Sequence, residues 1–148
     1  MQTKVHQLLI FIGGFFLFII DQTVKYLSLN IFTKNKLLFN VFGWNPFVNT
    51  GVAFGLPLPN IITICFTIPI VLIIGWVLIK YFLHPSKLYF FIGLTLIFWG
   101  ATSNLTDRIL YKATTDYILL GTGVINIADI LIVLGFVFYL LPHKFFKL

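Results

Sequence analysis

Four long apolar stretches organise the chain, at residues 6–29, 60–83, 87–108 and 123–141, and polar positions separate them. Each stretch has roughly the 20 residues that an α-helix needs to cross the hydrocarbon of a bilayer, at about 1.5 Å per residue. Pro69 lies inside the second stretch, where a kink is tolerated if neighbouring helices satisfy the freed carbonyl. The pattern predicts an all-α integral membrane protein with four transmembrane helices, forming a single domain over residues 1–148.

The connection at residues 30–59 is long for a helical bundle and has a different pattern. Its segment FVNTGVAFG combines β-branched and aromatic residues with two glycines, Gly51 and Gly55. Such a composition favours short strands, so we expect a small β-strand and loop subdomain between the first and second helices. Long ordered loops in compact domains are often functional, and a loop at Gly51 to Gly55 could close over a ligand.

Composition agrees with a bilayer environment. Hydrophobic residues make up 59% of the chain and charged residues only 9%, with a mean hydropathy of +1.03, whereas soluble domains carry about 25% charged residues. The net charge of +6 comes from scattered basic residues without a basic run. This excludes a typical nucleic-acid surface and predicts contact with anionic lipid headgroups. The single cysteine, Cys65, lies in an apolar run and is interpreted as a small apolar side chain.

Basic and aromatic residues occur near both predicted interfaces. Five basic residues fall on each predicted side, so the positive-inside rule does not orient the chain. The aromatic residues predict belts at the two interfaces, with Tyr81, Tyr89 and Tyr139 on the side of the termini and Trp44, Trp99, Tyr111 and Tyr117 on the other.

All four acidic residues are aspartates, and all lie in the half of the bundle away from the termini. Asp107 falls about 30 Å along the third helix, at the far interface. Asp129 falls roughly two turns into the fourth helix from that interface, and Asp21 lies on the same side. An acid within a span is costly and usually functional. We therefore expect Asp107 and Asp129 to meet at the mouth of the bundle.

Two carboxylates held close together share a proton, since both cannot be ionised cheaply. One can then deprotonate a water while the other protonates the substrate, which is the chemistry of an aspartic protease. Asn104, Asp107 and Arg108 share one helical face, and Asn126 precedes Asp129 by three residues. Every histidine lies at the opposite end, so neither a Ser-His-Asp triad nor a zinc site is predicted.

Four blocks, in this order, give the chain a resemblance to the lipoprotein signal peptidase (signal peptidase II) family: DQTVK at 21–25, NTGVAFG at 49–55, GATSNLTDR at 100–108 and NIAD at 126–129. The resemblance implies an enzyme of the bacterial cytoplasmic membrane, with cytoplasmic termini and a site near the outer leaflet. It implies removal of signal peptides from prolipoproteins, just before a diacylglyceryl-modified cysteine. It further implies inhibition by globomycin, and no metal or cofactor.

The resemblance implies that Asp107 and Asp129 are the catalytic aspartates. The other matching positions are expected to shape the site and contact the substrate: Asp21, Lys25, Asn49, Gly51, Asn104, Arg108, Asn126 and Ala128. Three residues depart from the usual pattern of the family. Ala101 and Ser103 replace glycines, and Ile125 replaces a phenylalanine. We expect these changes to affect the shape of the pocket, the affinity for the inhibitor and the substrate preference.

Several residues have a second interpretation. Asp21 either supports the site or pairs with Lys25 at i+4, and Asp107 could instead form a structural ion pair with Lys25 or Arg108. Asp116 is interpreted as a solvated turn acid.

The functional alternatives are a proton-coupled transporter or channel subunit, a structural membrane subunit, and a non-catalytic relative of the peptidase. A proton path predicts acids through the whole depth of the bilayer, which the sequence lacks.

Overall fold

The computed structural model describes residues 2–39, 41–51, 58–83 and 88–140, and in these ranges it contains four helices and four short strands. The helices are α1 (Gln2–Asn30), α2 (Asn60–Leu83), α3 (Leu88–Tyr111) and α4 (Ile127–Leu140). The strands are β1 (Lys36–Leu38), β2 (Phe42–Asn49), β3 (Thr114–Leu120) and β4 (Gly123–Ile125).

Three helices, α1, α2 and α3, are long and apolar enough to cross a bilayer. The side chains of α2 are almost all accessible and apolar, and Leu78 is the buried one among them, as expected of a helix that faces lipid. Helix α4 is equally apolar, but its described extent is 14 residues, and residues 141–148 lie outside the described ranges. The mostly helical membrane class is thus supported, and the fourth span stays a prediction.

Helix α3 is central and packs against each of the other helices. Its approach to α4 is close because glycines face backbone there. A Cβ at Gly100 would lie 2.6 Å from the carbonyl oxygen of Ala128, and one at Gly135 would lie 2.7 Å from that of Gly93. Small residues at such crossings are typical of membrane bundles, where van der Waals packing replaces the hydrophobic drive. The contact at Gly100 fixes the start of α4 against α3, one turn before Asn104.

The strands form one antiparallel sheet in the order β1-β2-β3-β4. Strand β2 pairs with β3 so that Phe47 lies opposite Asp116 and Asn49 lies opposite Thr114. The predicted subdomain between the first two helices is therefore only half of the sheet, because the connection between α3 and α4 supplies β3 and β4. That connection, TTDYILL, is rich in β-branched and aromatic residues, which fit a strand.

The fourth helix begins at Ile127 rather than at residue 123, since residues Gly123–Ile125 form β4. Asn126 follows the strand and caps the helix. Its Oδ1 accepts the Asp129 N–H at 2.9 Å, while its own N–H donates to Asp129 Oδ2 at 3.2 Å. This reciprocal pair is a capping box, which fixes a helix start. Asp129 consequently lies in the first turn of α4, and the predicted depth of two turns is wrong.

Candidate active site

A buried cluster of charges joins α1 to α3. Lys25 Nζ lies 2.7 Å from Asp21 Oδ2 and 2.9 Å from Asp107 Oδ2, and all three side chains are at most 4% exposed. Both alternatives that the sequence left open for Lys25, a pair with Asp21 and a pair with Asp107, occur together. The ammonium compensates two carboxylates that would otherwise be costly to bury.

Two polar side chains complete this cluster. Gln22 Nε2 donates to Asp107 Oδ1 at 2.8 Å and to Ser103 Oγ at 2.9 Å, and Ser103 Oγ donates to Asp21 Oδ2 at 2.6 Å. Ser103, one of the departures from the family pattern, thus contributes a hydroxyl to a fully satisfied network. Sequence reasoning did not single out Gln22 or this role of Ser103. The signal in the sequence was the pair of polar residues, Gln22 and Thr23, that follows Asp21 inside an apolar stretch.

Asp21 also holds the start of α4. Its Oδ1 accepts the Tyr117 hydroxyl at 2.9 Å and the Ala128 N–H at 3.2 Å, while the Tyr117 oxygen accepts the Ile127 N–H at 3.1 Å. These bonds satisfy N–H groups that a helix start leaves free, and a carboxylate there favours the helix dipole. Burial raises the pKa of Tyr117, so its hydroxyl remains a donor. The geometry supports a structural role for Asp21.

Tyr117 differs from what the sequence indicates, and Ala128 reaches the site through its backbone. Tyr117 is 1% exposed and hydrogen-bonded, so its assignment to an aromatic belt at the interface is wrong. Its ring lies 5.2 Å from that of Trp44. The Ala128 side chain is completely buried, and its backbone N–H is the group that reaches the cluster. Contact of Ala128 with the substrate stays a prediction.

Asn104 links the cluster to Asp129. Its Nδ2 donates to Asp129 Oδ1 at 2.8 Å, and its Oδ1 accepts Lys25 Nζ at 3.0 Å and Asn126 Nδ2 at 3.2 Å. The connection from Asp107 to Asp129 thus runs through Lys25 and Asn104. Asp129 is half-buried, whereas Asp107 is almost completely buried.

The environment of Asp116 differs from the prediction made from the sequence. It lies in the middle of β3 and is 2% exposed, so its interpretation as a solvated turn acid is wrong. Its Oδ2 accepts Asn49 Nδ2 at 2.9 Å and its Oδ1 accepts Asn126 Nδ2 at 2.6 Å. Burial raises its pKa to about 6, the hydrogen bond from Asn49 lowers it, and the charge of Asp129 raises it. Asn126 therefore contacts both Asp116 and Asp129.

Arg108 fixes the end of β2 against the end of α3. Its Nη2 donates to the carbonyl oxygen of Gly51 at 2.7 Å, and Nη1 is buried without a partner among the described residues. The Gly51 N–H donates to Asn49 Oδ1 at 3.0 Å, which forms a tight Asx-type turn. The predicted closing loop at Gly51 to Gly55 falls mostly on residues 52–57, outside the described ranges.

The described ranges hold no group of three or more His, Cys, Asp or Glu side chains arranged to bind a metal. Independence from metals and cofactors stays a prediction. The polar site instead consists of four acids, one lysine, one arginine and several carboxamides, all at one end of the bundle.

The buried Asp116 carboxyl predicts a pH dependence of stability. Its pKa is about 6 in the folded chain against an ordinary 3.8, so the folded state keeps a proton that the unfolded state releases between these values. Stability should therefore fall as pH rises from about 4 to about 6, by about 3 kcal/mol from this group. Thermal unfolding in detergent should show this slope in the wild type and a flatter one in Asp116→Asn. Equal slopes would refute the assignment.

Comparison with known proteins identifies the family. Residues 14–145 match the family described as signal peptidase (SPase) II. The chain is 32% identical over 127 residues to the lipoprotein signal peptidase of Clostridium novyi (strain NT), which covers 79% of this chain and 84% of the relative. It is also 32% identical over 154 aligned residues to that of Helicobacter pylori (strain HPAG1), covering 99% of this chain and 94% of the relative.

Solved structures support the fold. One bacterial membrane enzyme determined by the in meso method superposes with a TM-score of 0.71 at 24% identity, over 89% of this chain and 83% of the other. A second superposes with a TM-score of 0.69 at 23% identity, over 95% and 92%. At such identities the likeness concerns the fold alone. The match over most of the chain, together with the relatives above, places this protein in the signal peptidase II family.

Proposed function

We propose that the chain is a membrane-embedded aspartic endopeptidase that removes the signal peptide of prolipoproteins, on the N-terminal side of a diacylglyceryl-modified cysteine. The observation that carries this is the placement of two acids, Asp116 and Asp129, on either side of Asn126 at the mouth of the bundle. Family membership and the names of the relatives support the substrate class.

The second catalytic acid beside Asp129 is a choice between Asp107 and Asp116. The sequence predicts Asp107, and its contacts favour a different role. Both oxygens of Asp107 accept donors from Gln22 and Lys25, so an ammonium holds it as an ion pair. Asp116 contacts neutral amides, its pKa is raised to about 6, and the charge of Asp129 contributes to that shift. We infer that Asp116 and Asp129 share the proton, and that Asp107 positions Lys25 and Asn104.

The proposed mechanism uses one water between the two acids. Asp129, half-buried in the first turn of α4, is ionised and removes a proton from the water, which attacks the scissile carbonyl carbon. Asp116 holds the shared proton and donates a hydrogen bond to the carbonyl oxygen, because burial favours its neutral form. The proton taken up by Asp129 then passes to the departing amine. The pair returns to its single proton when the products leave.

The surrounding side chains are suited to hold an extended peptide. Hydrogen bonds join Asn49, Gly51 and Arg108 at the end of β2, and another joins Asn126, at the start of α4, to Asn104. Amide and guanidinium groups can pair with the backbone of a substrate strand. Asp21, Lys25 and Ala128 support these groups, since Lys25 contacts Asp21 and Asn104 and the Ala128 N–H donates to Asp21. Binding of a globomycin-like cyclic peptide in the same place is part of the proposal.

The membrane arrangement completes the proposal. The termini lie in the cytoplasm of a bacterium, the chain spans the cytoplasmic membrane four times, and the site opens near the outer leaflet. A proton-coupled transporter fits less well, because all four acids of the chain fall in one half of the bundle.

A cleavage assay tests the function directly. The purified chain in lipid vesicles would receive a diacylglyceryl-modified prolipoprotein, and a parallel sample would receive the same prolipoprotein without the lipid. We expect cleavage of the modified substrate only, immediately before the modified cysteine, with suppression by globomycin and no effect of a metal chelator. A folded protein that cleaves neither substrate would overturn the proposal and favour a non-catalytic relative.

A further inference from the structure

A second cleft lies beside the candidate active site, between the end of α1 and the strands β1 and β2. Its volume is about 620 Å³, and it is lined by Val24, Leu27, Ile31, Phe32, Thr33, Lys34, Lys36 and Trp44. None of these side chains belongs to the catalytic pair or to the charge cluster. The cleft is therefore a separate feature that the proposed reaction does not use.

The chemistry of the cleft changes along its depth. Val24 and Leu27 lie inside α1, and Val24 precedes the last residue of that helix, Asn30, by six residues, or about 9 Å. Lys34 and Lys36 lie beyond the end of α1 and are exposed at the rim. With the end of α1 at the membrane interface, the apolar wall would lie within the hydrocarbon and the two ammonium groups at the level of the headgroups. An amphipathic ligand with an apolar chain and an anionic head matches this order.

Among the described residues, no carboxylate forms an ion pair with either rim lysine. Within the described ranges, the ion pairs are those of Lys25 with Asp21 and Asp107, and three of the four acids are fully buried. Lys34 and Lys36, two residues apart in the sequence, therefore contribute two positive charges to the lining of a mainly apolar cleft. Charge complementarity favours an anionic occupant over a neutral or zwitterionic one.

We propose that this cleft binds one anionic phospholipid of the bilayer, with its phosphate between Lys34 and Lys36 and the start of one acyl chain against Val24 and Leu27. The bound lipid contacts Trp44, whose indole N–H is already used by the carbonyl oxygen of Phe32 at 2.6 Å. The ring of Trp44 therefore offers the lipid an apolar face. The same ring lies 5.2 Å from that of Tyr117, so the lipid buttresses the strand that carries Asp116.

Lipid retention measured by native mass spectrometry tests the proposal without reference to peptidase activity. The full chain in mixed micelles would be titrated with phosphatidylglycerol and, separately, with phosphatidylcholine. We expect the wild type to retain one phosphatidylglycerol in preference to phosphatidylcholine. Replacing both rim lysines (Lys34→Gln with Lys36→Gln) should weaken that retention about 10- to 30-fold.

Two further variants separate the cleft from general surface charge. Leu27→Trp fills the cleft and should lose the bound lipid with no change of charge. Lys4→Gln with Lys112→Gln removes the same charge elsewhere and should retain the lipid as the wild type does. Thermal unfolding of each variant in lipid-free detergent checks that the fold is kept.

Three results would overturn the proposal. They are equal retention of the two lipids, undiminished retention by the variant that lacks both rim lysines, and equal loss in the control that lacks Lys4 and Lys112. Displacement of the lipid by a neutral diacylglyceryl peptide, with no preference for charge, would instead assign the cleft to the lipid anchor of the substrate. The failure of this proposal leaves cleavage unaffected, so it is distinguishable from failure of the proposed function.

Discussion

Replacing Asp116 by asparagine should reduce cleavage of a lipidated prolipoprotein by about 10²- to 10⁴-fold, the range associated with loss of a general acid or base. The amide has nearly the shape of the carboxyl and can still accept the Asn126 hydrogen bond, yet it cannot hold the shared proton. The variant loses the hydrogen bond from Asn49, because its amide NH2 replaces the Oδ2 that accepts Asn49 Nδ2 at 2.9 Å. It also removes a buried group that is costly to ionise, so we expect it to be folded near neutral pH. Asp129→Asn should lose activity to a similar extent.

Asp107→Asn is the matched control, since it makes the same change at the acid that the sequence predicts to be catalytic. It removes one of the two carboxylates that face Lys25 and leaves Asp21 in place at 2.7 Å. We expect a lower melting temperature in detergent, with any loss of cleavage following the loss of folded protein. An Asp107→Asn variant that is stable and inactive, beside an active Asp116→Asn, would place Asp107 in the catalytic pair and refute the catalytic role of Asp116.

The spans and the identity of the polar residues could be predicted from the sequence, because both depend on local pattern. Helices α1, α2 and α3 follow from their apolar length, and α2 has the predicted bounds 60–83. The resemblance placed Asn49, Asn104, Asn126 and Asp129 in one site. Hydrogen bonds join the last three directly, and Asn49 joins them through Asp116. Helical spacing also gave the pairing of Asp21 with Lys25.

The burial of Asp116 could not be predicted from the sequence, because it depends on strand pairing between distant parts of the chain. Strand β3 is buried only because β2 pairs with it and the helices cover it, and a run of seven residues does not reveal those partners. The start of α4 was missed for a related reason. The residues Gly123–Ile125 are as apolar as a helix would be, and the capping box of Asn126 and Asp129 separates strand from helix.

The charge cluster offers the prediction with the largest expected effect on stability. Lys25→Met removes the ammonium that contacts both Asp21 and Asp107, and among the described residues no other cation forms an ion pair with either buried carboxylate. Removing one partner of a buried ion pair typically costs about 3–5 kcal/mol. We therefore expect a large decrease in melting temperature in detergent, together with loss of cleavage, since Asn104 also loses its contact with Lys25 at 3.0 Å.

A second change should rescue part of this loss. Lys25→Met combined with Asp107→Asn leaves one buried carboxylate uncompensated instead of two, so the double variant should unfold at a higher temperature than Lys25→Met alone. Groups that share a network are not additive, and the difference measures their coupling. Lys112→Met is the control, because Lys112 is exposed and has no described ion pair. If Lys25→Met and Lys112→Met had the same melting temperature, the charge cluster would not be the electrostatic support of the site. The position of Asn104 beside Asp129 would then need another cause.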